Sequence, residues 1–153
     1  MTTPFIYASD EAVTRAWLAQ LDGFSAAMVG EVLPRDSSSW AATGFLTVAV
    51  AGGDTVPEYR FESPVMDVRG WATTPGTDAP PWNMARNLAV SVQAGTYRRT
   101  PWFLNLPDAS ENAVVKTAWV LGKPRRAYGD FGDYAVYALD LVLNWVPVAK
   151  STP

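Results

Sequence analysis

The side chains in this 153-residue chain that could do acid–base work are carboxylates. Glu58, Glu62, Asp67 and Asp140 fall in or beside strand-like runs, and Glu58 and Glu62 share a face on strand alternation. A pair of carboxylates held together can act as general acid and base. Nothing in their spacing brings these four to one pocket, and solvated surface charge is the simpler reading. Other chemistry is removed by composition. There is no His, hence no Ser-His-Asp triad and no His-based metal site. There is no Cys, hence no disulfide, thiolate ligand or Cys nucleophile. The glycines do not cradle a phosphate: "VAGGDT" lacks the Lys-Ser/Thr of a P-loop, and no GxGxxG occurs. The expectation is no enzyme activity, no cofactor and no metal.

Two segments have the composition of contact surfaces. "GKPRRAYGDFGD" gathers Lys123, Arg125 and Arg126 with Tyr128 and Phe131. Such a loop contacts phosphates and stacks on bases in nucleic-acid channels. It equally describes a solvated hairpin tip or a protein contact, which three cations favour. "RRTPWFLNLPDAS" places Trp102, Phe103 and Leu104 in a loop. These residues either fold back to cap the core or anchor a subunit interface, where aromatics and Arg are enriched. Of the seven Trp, Trp17, Trp82 and Trp119 are read as core, and Trp40, Trp71 and Trp102 as packing between chains.

The elements that position these residues follow from periodicity. Ser9 or Asp10 caps a helix in "EAVTRAWLAQL", with Val13, Ala16, Trp17 and Leu21 on one face and Gly23 as a stop. "AAMVGEVLP" reads as a strand and "FLTVAV" as another, with "AGGDT" as the turn after it. "YRFESPVMDVRGW" reads as a long strand, bulged or broken at Pro64. A second helix spans residues 81–92, burying Ala85, Leu88, Ala89 and Val92 with Arg86 and Asn87 outside. Residues 95–112 form a loop, and two final strands, "AVVKTAWVLG" and "DYAVYALDLVLNWVP", flank the basic segment. The expected fold is α+β: an antiparallel or mixed sheet of about five strands in the order α-β-β-β-α-β-β, with both helices on one face. The length suits one domain over residues 1–153, with residues 1–8 and 148–153 as terminal arms.

Charge narrows the partners. The net is −3; residues 1–97 carry 5 basic and 10 acidic side chains, and residues 98–153 carry 7 basic and 5 acidic. No basic face of the kind a general nucleic-acid binder shows is visible. Apolar runs fall far short of the ~20 residues a membrane span needs. The first residues lack a basic lead and an apolar core, so a cytoplasmic site of synthesis is expected.

The informative stretch is "VMDVRGW". Met66 and Val68 point one way; Val65, Asp67, Arg69 and Trp71 point the other. Likewise Tyr137, Leu139, Leu141, Leu143 and Trp145 form a core-like side of the last strand, yet the opposite side is also largely apolar. Two helices cover only one face. The other, apolar and aromatic among charges, is under-covered in a monomer.

In its element order and several segments, the chain resembles the tail terminator proteins of long-tailed phages, particularly those infecting actinobacteria. The resemblance is carried by "DEAVTRAWLAQL", "GEVLPRD", "FLTVAVAGG", "SPVMDVRGWA", "PPWNMARNLAVSVQAGT" and "YAVYALDLVLNWVP", over about residues 9–147. It implies a hexameric ring at the head-proximal end of the tail tube, which stops tube polymerisation and offers a surface for head–tail joining. It implies a homo-oligomer whose partners are the tail tube protein and the connector, with DNA passing through unread, no membrane, and a place in the virion after assembly in the host cytoplasm. Other neck and tail-completion proteins share parts of the pattern. On this reading Val65, Asp67, Arg69, Trp71, Trp102 and Phe103 meet neighbouring subunits, and Lys123, Arg125, Arg126, Tyr128 and Phe131 meet a partner or the channel. The rival reading is a monomeric ligand-binding module with a pocket between sheet and helix.

Overall fold

The structure, a computed structural model, describes residues 3–56, 58, 60–77, 79–99, 101–127 and 132–151. Its elements are α1 (Asp10–Ala19), β1 (Val29–Gly30), β2 (Phe45–Val56), β3 (Phe61–Ala72), α2 (Trp82–Gly95), β4 (Trp102–Leu104), β5 (Glu111–Arg126) and β6 (Ala135–Ala149). They form the expected α+β fold. Six strands lie in the order β1-β2-β3-β6-β5-β4, antiparallel except for the β1–β2 pair.

Both helices form where local chemistry favours them. The Ser9 side chain caps α1 by accepting from the Ala12 amide at 3.0 Å, and Asp10 and Glu11 sit at the positive end of the helix dipole. Val13, Trp17 and Leu18 are buried. In α2 the apolar stripe is the one the spacing predicts, Ala85, Leu88, Ala89 and Val92. These stripes pack with Leu46, Val48, Met66, Val68, Leu139, Leu141, Leu143 and Trp145 in one core. All the strand members of that set lie on one side of the sheet. The helix approaches so closely that a Cβ on Gly70 would stand 3.0 Å from the Leu88 Cβ and 3.3 Å from the Ala85 carbonyl oxygen. Glycine lets α2 seat there.

Two strand readings need correction. The strand expected over residues 26–34 shrinks to Val29–Gly30 behind a 3-10 turn at Ala26–Met28. Paired alanines favour strands poorly, and Val32 beyond them is exposed. "AGGDT" is no turn. It continues β2, which absorbs an irregularity between Val50 and Gly52 as a bulge. Gly53 takes φ +120°, and a Cβ there would lie 2.5 Å from the Pro64 Cα. The glycine pair thus accommodates the proline opposite, and β3 runs through Pro64 unbroken.

Candidate functional site

With both helices on one side, the other side of the four long strands is left to solvent, to side chains of the sheet itself and, at one end, to the loop residues Trp40 and Tyr134. The strand registers align it in cross-strand rows. Phe45, Trp71 and Val136 form the first; Thr47, Arg69, Ala138 and Arg125 the second. Ala49, Asp67, Asp140 and Leu121 form the third; Gly52, Val65, Val142 and Trp119 the fourth. The alternation assigned to Val65, Asp67, Arg69 and Trp71 therefore holds: all four point away from the helices and are half-buried.

The first row is covered within the chain. Trp40, in the loop before β2, packs edge-on against Tyr134 at 5.6 Å and contacts Phe45 at 6.3 Å. Tyr134 in turn meets Trp71 edge-on, and the Trp71 indole N–H donates to the Thr47 hydroxyl at 2.9 Å. Trp40 is buried, so its assignment to packing between chains is corrected: it seals this end of the face.

Charges occupy the middle. Arg69 Nε lies 3.3 Å from Asp67, and Arg125 lies 3.6 Å from Asp140. With Arg126, Ala51, Ala127 and Ala138 these residues line a shallow depression of about 260 Å³. Of the four carboxylates singled out by type, only Asp67 and Asp140 meet. Each is already engaged by a guanidinium on an open face. Glu62 instead accepts from the Thr55 hydroxyl at 2.6 Å. Among the described residues no cluster of metal-ligating side chains occurs.

Beyond the charges lies an apolar and polar zone. Trp119 and Leu121 are 41% and 46% exposed beside Val65 and Val142. Next to them the Asn144 amide donates to the Thr117 hydroxyl at 2.7 Å, and the Ser63 hydroxyl donates to the Asn144 oxygen. The sequence expectation of Trp119 in the core is reversed by the structure. The register slips between Val115 and Thr117, so Val115 stays inside while Thr117, Trp119 and Leu121 turn outward. Nothing in the sequence at Lys116 marks that slip.

Other assignments also change. Trp102 is 3% exposed and meets Trp17 edge-on at 5.6 Å, so it caps the core and offers nothing to a neighbour. Phe103, beside it on β4, faces outward at 78% exposure. Trp82 is half-buried against Tyr137. The basic residues belong to β5 and divide between its faces. Arg125 joins the uncovered side, whereas Arg126 stacks on the Trp82 ring of α2 at 4.3 Å and Lys123 borders α2 near Arg86 and Gln93. They do not form one patch; Tyr128 and Phe131 lie outside the described residues.

A further concavity lies beside α1. The arm at Ile6–Ser9, the outer side of α1 and residues 105–109 enclose about 360 Å³, lined by several alanines and by Arg15. Among the described residues no helix is long and apolar enough to cross a membrane. No protein-family model matches this chain, and no curated protein is found to be similar to it.

Proposed function

We propose that this chain is a tail-terminator-like subunit of a long-tailed phage. Identical copies join into a ring at the head-proximal end of the tail tube, stop the addition of tube subunits and present a surface for head–tail joining. DNA passes through the ring without being read. What carries the reading is the uncovered side of the sheet. Trp119 and Leu121, with the half-buried Val65 beside them, make an apolar zone there, next to the Asp67–Arg69 and Asp140–Arg125 pairs. Burying a side chain of the Leu or Val class is worth ~1.5–3 kcal/mol, so covering this zone against another copy is a substantial gain. The flanking charges then fix register and reject wrong partners. A ring of heterologous contacts is the economical way for identical copies to bury such a surface. The second support is the resemblance of the segments over residues 9–147 to tail terminators.

The test is light scattering on the purified chain, alone and with tail tube subunits. The expected mass is six times that of the chain, alone or on the tube end, and added protein should cap tube growth. A chain that stays single in both conditions and leaves tube growth unchanged overturns the reading. Binding to the connector without capping the tube would point instead to another neck or tail-completion protein. The 360 Å³ concavity beside α1 favours the monomeric ligand-binding module as the second reading. That module would run as a single chain and gain thermal stability from an apolar ligand.

A further inference from the structure

The long strands leave both flanks of the sheet unfinished. β1 pairs with β2 only at Leu46 and Thr47, and β4 pairs with β5 only at Ala113–Val115. Among the described residues, nothing lies strand-to-strand against Val48–Val56 on one flank or Lys116–Arg126 on the other. An unprotected edge of this length is a template for pairing with another chain, because alternate amides and carbonyls point outward. Bulges interrupt both edges. What remains regular is Gly52–Val56 on β2 and Thr117–Leu121 on β5, two stretches of matching length.

The two edges differ in kind. The β5 edge carries Lys116, Lys123, Arg125 and Arg126 without a carboxylate; the β2 edge carries Asp54 without a cation. Two β5 edges brought together would set cation against cation, which destabilises a cross-strand pair. Shape points the same way. β5 presents the bulky, exposed Trp119 and Leu121, whereas β2 presents Ala49, Ala51, Gly52 and Gly53, with little side chain to collide. Pairing β2 with β2 would satisfy one edge and leave the longer one open. Only a head-to-tail contact completes both. β2 and β5 run in opposite directions within the sheet, so copies that keep a common orientation meet antiparallel.

We infer that the β5 edge of one copy pairs antiparallel with the β2 edge of the next, continuing the sheet from subunit to subunit. The inference rests on the reading of this chain as a self-assembling subunit and names an edge contact between its copies, one that covers the β5 end of the helix-free side rather than its centre. Trp119 and Leu121 then lie over the glycine-rich segment of the neighbour, and the cations of β5 approach Asp54.

The absence of Cys makes the test clean. Asp54→Cys and Leu121→Cys, singly and together, are treated with a short thiol–thiol crosslinker at low protein concentration. Within one chain these sites are three strand spacings apart, ~14 Å at ~4.8 Å each, beyond a short linker. The expected result is a ladder of dimers, trimers and larger species from the double variant, and none from either single variant. Dimers from Asp54→Cys alone would overturn the head-to-tail contact in favour of paired β2 edges. An uncrosslinked double variant that light scattering finds assembled would overturn the contact while leaving the ring reading intact. A wild-type chain that is single, alone and with tube subunits, would overturn both.

Discussion

Asp67 and Asp140 stand directly opposite one another across β3 and β6, two carboxylates in register in the middle of a sheet. Like charges so placed destabilise a strand pair, and the chain answers each with an arginine: Arg69 beside Asp67, Arg125 beside Asp140. The two pairs line a single depression. An isolated surface pair contributes little, typically under ~1 kcal/mol, but removing one member here leaves a repulsion uncompensated.

Arg125→Glu should therefore cost more than the loss of one ion pair. It places a third carboxylate beside Asp140, and a loss of ~1–2 kcal/mol in unfolding free energy is expected from like-charge crowding together with the lost pair. Adding Asp140→Asn should recover part of that loss, because the neutral amide repels neither neighbour. Urea midpoints for wild type, both single variants and the double variant give the coupling directly. Additive effects would show that the charges act separately. If this face meets a neighbouring copy, Arg125→Glu should also lower the assembled fraction in light scattering.

The two tryptophans Trp102 and Trp119 should respond in opposite ways. Trp102 fills the core against Trp17, so Trp102→Ala is expected to cost ~3–5 kcal/mol, the range for truncating a buried aromatic. Trp119 is 41% exposed, so Trp119→Ser should shift the unfolding midpoint by little, of order 0.5 kcal/mol. Its expected effect lies in association, with the assembled fraction falling. Equal destabilisation by the two variants, or an unchanged mass for Trp119→Ser, would contradict the assignment of Trp119 to a contact surface.

That contrast also marks how far the sequence could be read. The stripe Ala85–Leu88–Ala89–Val92 and the alternation through Met66 and Val68 were legible, because helix and strand periods decide which side of an element is apolar. The helix-free side of the sheet was legible too, from the polar and aromatic partners of Met66 and Val68. The residues that furnish its apolar zone were not. A slip between Val115 and Thr117 inverts the parity of everything after it, turning Trp119 outward without a glycine or proline to announce it. For Trp102 the sequence leaves core and interface both open, for the converse reason. A Pro-flanked aromatic triplet reads as a loop, yet three residues suffice for β4 to pair with β5 and send Trp102 into the core. The meeting of Asp67 with Asp140 depends on a register between residues 73 positions apart, which no local pattern records.

Asp10 supplies a prediction on pH. Its side chain accepts from the Trp145 indole N–H at 3.0 Å, tying the start of α1 to the end of β6. Burial raises its pKa above the ordinary 3.8; the Trp145 hydrogen bond opposes that shift, and the charges of Glu62 and Glu11 add to it. The folded chain thus holds this proton more tightly than the unfolded chain does. The resulting stabilisation is full below pH 3.8 and is lost as pH rises through the folded value. Asp10→Asn keeps an oxygen for Trp145 and removes the titration. The stability of wild type minus that of Asp10→Asn should therefore fall as pH rises from below 3.8 toward neutrality. Urea unfolding of both proteins across that interval measures the difference. A flat difference would show that the Trp145 hydrogen bond cancels the cost of burying the ionised carboxylate, and one that rises with pH would show that it outweighs that cost; either would overturn the prediction.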